Sequence, residues 1–423
     1  MVDVTGETQL NDNGPARAAA EMVARQSYGK LVAFLAARTG DVAGAEDALS
    51  EAFASALADW SVNGVPRSPE AWLLTTARRK LIDAGRRRRT GDDASDHLLL
   101  MADEMEAAVN ENAMPDRRLA LMFACAHPAI DAGIRAPLIL QTILGFDAAT
   151  IASAFLVAPQ TMAQRLVRAK SKIRQAGIPL RVPEREELRE RLDTVLEAIY
   201  AAFAEGWTDP GGTESRRRNL ADEGIWLGRL VASLLPDEPE ALGLLSLMLY
   251  AESRRAARRN AAGDYVPLGE QDTSLWETTM IEEAEALLRR ASLGGDTGRY
   301  QIEAAVQSAH IVRRLSGRAD WAAIERLYEL LFEITQSPVV TINRAVAIAE
   351  TRGAAAGLAL LDELDGETAL AEYQPYWAAR AELLAQFNRI DEAQQAYDRA
   401  IGLEADPAVR KFLQERRGRL QTH

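Results

Sequence analysis

An all-α chain is what this sequence predicts, and three features predict it. Alanine, leucine, arginine and glutamate dominate, β-branched runs are scarce, and apolar residues recur at intervals of three and four. At 423 residues with 48% hydrophobic content, the chain can build two or three domains with proper cores. Its single cysteine, Cys125, excludes an intramolecular disulfide and points to a reducing compartment. The N-terminal stretch is polar, starts acidic and lacks the apolar centre of a signal peptide. No apolar run approaches the ~18–20 residues of a membrane span, so a cytoplasmic protein without membrane contact is expected.

Helical patterning breaks at 61–69, 90–112, 177–183 and 206–212. The second break is acidic, with no Lys or Arg from Thr90 to Asp116, and reads as a flexible tether. These breaks divide the chain into a disordered tail (1–20), a first helical module (21–91), an acidic linker (92–115), a second module (116–178) and a long helical C-terminal domain (184–423). Charge follows the same division. Residues 1–183 hold 21 Lys+Arg against 21 Asp+Glu, whereas the rest hold 28 against 41 and so carry the whole net charge of −13. A balanced half with local cationic clusters beside an acidic half suits a nucleic-acid binder with a separate protein-facing module.

In the first module, DVAGAEDALSEAFASALADW places Val42, Ala45, Leu49, Ala52, Phe53, Ala56, Leu57 and Trp60 on one apolar side. Asp47, Ser50, Glu51 and Ala54 form the opposite, acidic strip, with Glu46 at its edge. The next helix, AWLLTTARRKLIDAGRRRR (71–89), ends with seven cations and one carboxylate in its last twelve residues. Leu73, Ala77, Leu81 and Ala84 make its buried stripe. Trp72, Thr76, Arg79, Asp83 and Arg86 share another face, on which Asp83 is spaced to hold Arg79 or Arg87. An aromatic beside a cationic track fits unstacked bases and a phosphate backbone.

The second module carries a helix-turn-helix pattern in GFDAATIASAFLVAPQTMAQRLVRAKSKIR (145–174). A first helix over 148–155 buries Ile151 and Phe155, a turn follows at 156–158, and Pro159 opens the second helix at a favoured position. Met162, Leu166, Ala169 and Ile173 form its core stripe. Gln160, Thr161 and Gln164 then face outward where base edges are read, and Arg165, Arg168, Lys170 and Lys172 face outward to reach phosphates.

The C-terminal half reads as stacked helical pairs. In 376–407, Trp377, Ala381, Leu384, Ala393, Tyr397 and Ala400 fall at tetratricopeptide spacings, with Asn388 in the inter-helix glycine position. Such stacks present a concave surface for a protein partner or effector. Arg254, Arg255, Arg258 and Arg259 form a basic patch followed by Asp264, Glu270, Gln271 and Asp272. It is helix charge paired with local acids, an anion or effector site, or an interface with the first two modules. No catalytic motif is present: His97, His127, His310 and His423 are scattered, Cys125 sits in the apolar stretch FACAH, and no phosphate loop, zinc pattern or nucleophile elbow occurs. No enzyme, metal or cofactor is expected.

With these residues read, the chain resembles RNA polymerase sigma factors of the extracytoplasmic-function class. The likeness rests on AEDALSEAF (45–53), WLLTTARRKLIDAGRRR (72–88) and TIASAFLVAPQTMAQRLVRAKSKIR (150–174). It is nearest the subgroup with a long tetratricopeptide-like extension, through FLVAPQTMAQRLVRAKSKIRQAGIPLRVP and SPVVTINRAVAIAE (337–350). The resemblance implies that Asp47, Ser50 and Glu51 contact the clamp helices of the largest polymerase subunit. It places Trp72, Arg78, Arg79, Asp83, Arg86 and Arg87 at the −10 promoter element. Gln160, Thr161, Gln164, Arg165, Arg168 and Lys172 fall at the −35 element, with the flap of the second-largest subunit as a further partner. Ser50 stands where glutamine is common, Arg79 where asparagine is usual, Leu156 where a turn glycine is usual and Ala158 where serine often caps. Loss of such a cap costs ~1 kcal/mol, partly offset by Pro159. The acidic extension is expected to regulate the first two modules or to contact partners. An alternative is a tetratricopeptide DNA-binding regulator that does not engage polymerase core.

Overall fold

A computed structural model describes residues 14–88, 116–155, 157–207, 215–295, 297–367 and 370–420. Among the described residues there is no strand; one isolated bridge pairs Arg259 with Tyr265. The chain divides into two compact units, Met1–Ala202 and Phe203–His423. The acidic linker and Leu156 lie outside the described residues, as do Arg89 and the first thirteen residues of the expected tail.

The first unit is built around α1 (Gly14–Thr39), which packs on α2 (Val42–Asn63), α3 (Pro69–Arg88), α4 (Arg118–Cys125) and α5 (Ala132–Leu144). Where a disordered tail was expected, residues from Gly14 onward are already helical, because Ala16 and Ala20 continue the buried stripe of α1. Leu31, Leu35, Leu49, Leu73, Leu121, Phe123 and Leu138 fill the core. Asp41 caps α2 by accepting from Gly44 N at 3.0 Å.

The segment read from sequence as a helix-turn-helix forms two helices, α6 (Ala148–Ala154) and α7 (Pro159–Gln175). Asp147 caps α6, accepting from Ala149 N and Thr150 N at 2.9 and 2.8 Å. Pro159 opens α7, and Ala158 supplies no side-chain cap. Met162, Leu166, Ala169 and Ile173 are all buried, as their spacing predicts; Ile151 is buried and Phe155 half-buried. This stripe sets α7 against α2, α4, α5 and α6. Next, α8 (Arg185–Trp207) runs out of the first unit and into the second.

The second unit is a succession of packed helices. In order they are α9 (Ser215–Leu234), α10 (Pro239–Glu252), α11 (Thr278–Ala291), α12 (Arg299–Ile311), α13 (Arg313–Ser316), α14 (Trp321–Thr335), α15 (Pro338–Arg352), α16 (Ala354–Asp362), α17 (Gln374–Gln386), α18 (Ile390–Leu403) and α19 (Pro407–Arg419). Most of the close packing is between sequence neighbours, with α10 against α12 as the main exception. There Glu240 accepts from Tyr300 N and Gln301 N at 3.0 and 3.1 Å, satisfying two donors at the start of α12. In the last pair, Ala381, Leu384, Ala393, Tyr397 and Ala400 are buried and Trp377 packs against them. Asn388 adopts φ +62°, the left-handed turn that asparagine tolerates.

Gly29 shows how tightly α1 and α5 approach. A Cβ there would lie 2.2 Å from the Ile143 carbonyl oxygen, a backbone atom that cannot swing aside. Gly29→Ala is therefore expected to destabilise the first unit by about 3 kcal/mol despite alanine's better helix propensity. Urea unfolding of the variant against wild type checks this.

Candidate nucleic-acid interface

The acidic strip of α2 is exposed as expected at Asp47, Ser50, Glu51 and Ala54. It is flanked by a cation, since Lys80 Nζ on α3 lies 3.2 Å from Glu51 Oε2. Two expectations for α2 require correction. Leu57 is 44% exposed rather than part of the apolar side, because the neighbours of α2 leave that turn uncovered. Glu46 is not at the edge of a solvated strip. It is 7% exposed and meets Lys170 of α7, Nζ to Oε2, at 2.5 Å.

On α3, Leu73 and Ala77 are buried, but Leu81 and Ala84 are only half-buried, because α1 and α2 cover chiefly the first turns; Leu74 completes the buried face instead. Trp72 is half-buried, edge-on to Trp60 with centroids 5.6 Å apart and planes at 68°, so one side of the indole is fixed by the core. Arg78 is half-buried, and Arg79 and Asp83 are exposed. The α3 backbone continues through Arg86 and Arg87, whose side chains are outside the described residues. The structure thus brings Trp72, Arg78, Arg79 and Asp83 onto one helix beside the acidic strip.

Gln160, Thr161, Gln164, Arg165, Arg168 and Lys172 are all exposed on α7. Arg165, Arg168 and Lys172 line a surface pocket of about 380 Å³ together with Ile130, Asp131 and Ile134. Asp131 also caps α5, accepting from Gly133 N at 3.0 Å, so its charge is partly engaged there. Three cations around a concavity at the start of α5 can accommodate phosphate oxygens. Lys170, read from sequence as a phosphate contact, is instead committed to Glu46, and its side chain is only 11% exposed.

The Glu46–Lys170 pair and a second pair, Arg174 Nη1 to Asp41 Oδ2 at 3.2 Å, join α7 to α2. Sequence reasoning missed both, since the partners are 124 and 133 residues apart. The one signal was Glu46 sitting between the buried positions Ala45 and Leu49. Burial pushes the Glu46 carboxyl above its ordinary range although Lys170 opposes this, and Oε1 has no hydrogen-bond partner among the described residues. Elsewhere in this unit Cys125 is fully buried, its thiol 3.4 Å from the Thr142 hydroxyl and pushed up to about 12 by burial. It is a packing residue, not a nucleophile. Among the described residues, no cluster of His, Cys, Asp and Glu could hold a metal ion, and no helix is long and apolar enough to cross a membrane.

Breaking one side of a buried pair strands the other charge. Lys170→Met is expected to cost about 3–5 kcal/mol near neutral pH, and Glu46→Gln/Lys170→Met to recover most of it. Because the folded carboxyl has the higher pKa, Glu46 contributes stability that is present at low pH and lost as pH rises through its raised value. The Lys170→Met penalty should accordingly shrink as pH falls, and Glu46→Gln should remove this part of the pH dependence. Chemical denaturation from pH 4 to 8 measures both.

Comparison with known proteins finds matches for two stretches of the chain. Residues 23–90, which contain α2 and α3, match sigma-70 region 2. Residues 191–292 match a family of unknown function, DUF6596. The chain is 39% identical over 378 residues to an uncharacterized protein of Rhizobium meliloti (strain 1021), covering 87% of this chain and 88% of that one. No solved structure matches. Sigma-70 region 2 is a transcription-factor domain, not an enzyme domain, and its presence supports initiation of the sigma-factor type with polymerase core and promoter DNA as partners. The chain belongs to the family of that rhizobial protein, and through α2 and α3 it carries the region 2 domain of an RNA polymerase sigma factor.

Proposed function

We propose that this protein is an alternative sigma factor of the extracytoplasmic-function class with a tetratricopeptide-like C-terminal extension. The observation that carries the reading is the region 2 match over a pair of helices with opposite chemistry, an exposed acidic strip on α2 and an aromatic, arginine-rich α3. In this reading Asp47, Ser50 and Glu51 dock on the clamp helices of polymerase core. Trp72, Arg78, Arg79, Asp83, Arg86 and Arg87 hold the opened −10 strand. The start of α7 reads the −35 major groove through Gln160, Thr161 and Gln164, while Arg165, Arg168 and Lys172 take phosphates.

The two promoter elements are about 25 base pairs apart, roughly 85 Å along the duplex. In the first unit α7 is held against α2 by two ion pairs, so α3 and α7 cannot both reach their elements in this arrangement. Residues 89–115, fully extended, could span roughly 90 Å, enough for the two modules to separate on DNA. Release of the α2–α7 contact is therefore part of the proposed mechanism. The acidic C-terminal domain acts on this step or contacts polymerase.

Binding of the full chain to core RNA polymerase tests the reading. Wild type is expected to form a salt-sensitive complex that Asp47→Arg/Glu51→Arg abolishes, and DNA binding without core binding would favour a plain DNA-binding regulator. On promoter DNA with the holoenzyme, Arg168→Ala should weaken binding evenly across sequences and lower the salt slope by about 0.9. Gln164→Ala should instead relax preference at one base pair, by about 1–3 kcal/mol.

A further inference from the structure

The turn after α10 gathers Arg254, Arg255, Arg258 and Arg259, and their surroundings do not treat them alike. Arg255 is paired: its Nε and Nη2 donate to the two carboxylate oxygens of Glu252 at 2.6 and 2.8 Å. Arg259 is paired with Asp406, the residue that caps α19. Local acids therefore account for two of the four.

The other two have no carboxylate within ion-pair distance among the described residues. Arg258 donates from Nη1 to the Trp207 carbonyl at 2.9 Å, and its guanidinium lies 4.3 Å from the Trp207 ring centroid. Arg254 is deeper, only 8% exposed. Its Nη2 donates to Gln307 Oε1 at 2.6 Å, while Nε and Nη1 are buried with no acceptor. Burial and the nearby Arg258 charge push Arg254 down to about 10, which still leaves it cationic at neutral pH. His310 faces the same charge and is pushed down to about 4 by burial and by Arg254, so it adds no positive charge. The Tyr328 hydroxyl beside Arg254 is pushed up to about 12 and supplies no negative charge.

Helix geometry offsets only part of this. The carbonyls of Gly206 and Trp207, at the negative end of α8, accept from Arg255 and Arg258 but not from Arg254. A buried cation with donors left open costs several kcal/mol unless an anion joins it. We propose that Arg254 and Arg258, the latter held over the Trp207 ring, bind a phosphate group, either inorganic or carried by a small monoester. Four arginines against two carboxylates, Glu252 and Asp406, leave two positive charges, which match its charge of about −1.5 to −2, and one of its oxygens supplies the acceptor that Nη1 of Arg254 lacks. A monocarboxylate would neutralise only one of them. This site lies within the stretch matching the family of unknown function and does not depend on the sigma-factor reading.

The test is thermal unfolding of the full chain at constant ionic strength. Chloride is exchanged for inorganic phosphate in one series and for glycerol 3-phosphate in another. Wild type is expected to show a saturable rise in Tm of about 5 °C at a hundredfold excess over Kd, and the tighter titrant identifies the source. Arg254→Gln should lose most of the phosphate-dependent rise. Arg254→Lys keeps the charge without the guanidinium donors, covers the case in which the glutamine variant does not fold, and should bind at least tenfold more weakly. Equal wild-type Tm in phosphate and chloride would overturn the proposal, as would a phosphate response of wild-type size in Arg254→Gln.

Discussion

Two charges taken out of water where α2 meets α7 constrain what the first unit can present. Glu46 and Lys170 each lose most of their hydration there, and each is tolerable only because the other is 2.5 Å away. That contact fixes the rotation of α7. With Met162, Leu166, Ala169 and Ile173 turned inward beside Lys170, the face bearing Gln160, Gln164, Arg165 and Arg168 must turn outward. On α2, Asp47, Ser50 and Glu51 stay exposed although Ser50 lies one turn along the same face from the buried Glu46.

The second unit applies the same electrostatics with a different result. Arg255 and Arg259 are neutralised by nearby carboxylates, whereas Arg254 is as secluded as Lys170 yet has no carboxylate within ion-pair distance among the described residues. A buried cation with a partner ties helices together. One without a partner is a place where something anionic belongs, and this contrast separates a structural contact from a candidate ligand site.

Much of this was legible along the chain. The α7 stripe, the Pro159 start, the buried Cys125 and the turn at Asn388 are local consequences of periodicity and residue type. The family resemblance adds roles for the exposed residues, and the region 2 match supports the transcription-initiation part of it. Errors came where helix periodicity assigns a face but not its cover. Leu57 and Leu81 lie on apolar sides that no neighbour fully closes, and Gly14–Ala20, polar in context, gained a helix because α1 has partners to pack against.

By itself, then, the sequence determined the helical class, the buried stripe of α7 and the sigma-type domain, all of which depend on residues within a few turns of one another. Only the tertiary structure decided that Glu46 is buried, that Lys170 is withdrawn from the phosphate-facing set, and that Arg254 and Arg258 have no carboxylate within ion-pair distance among the described residues. Those outcomes depend on which helices meet across more than a hundred residues of chain in the first unit, or on where α8, α10 and α12 converge in the second. Desolvation is set by what packs on a charge, and periodicity carries no record of that.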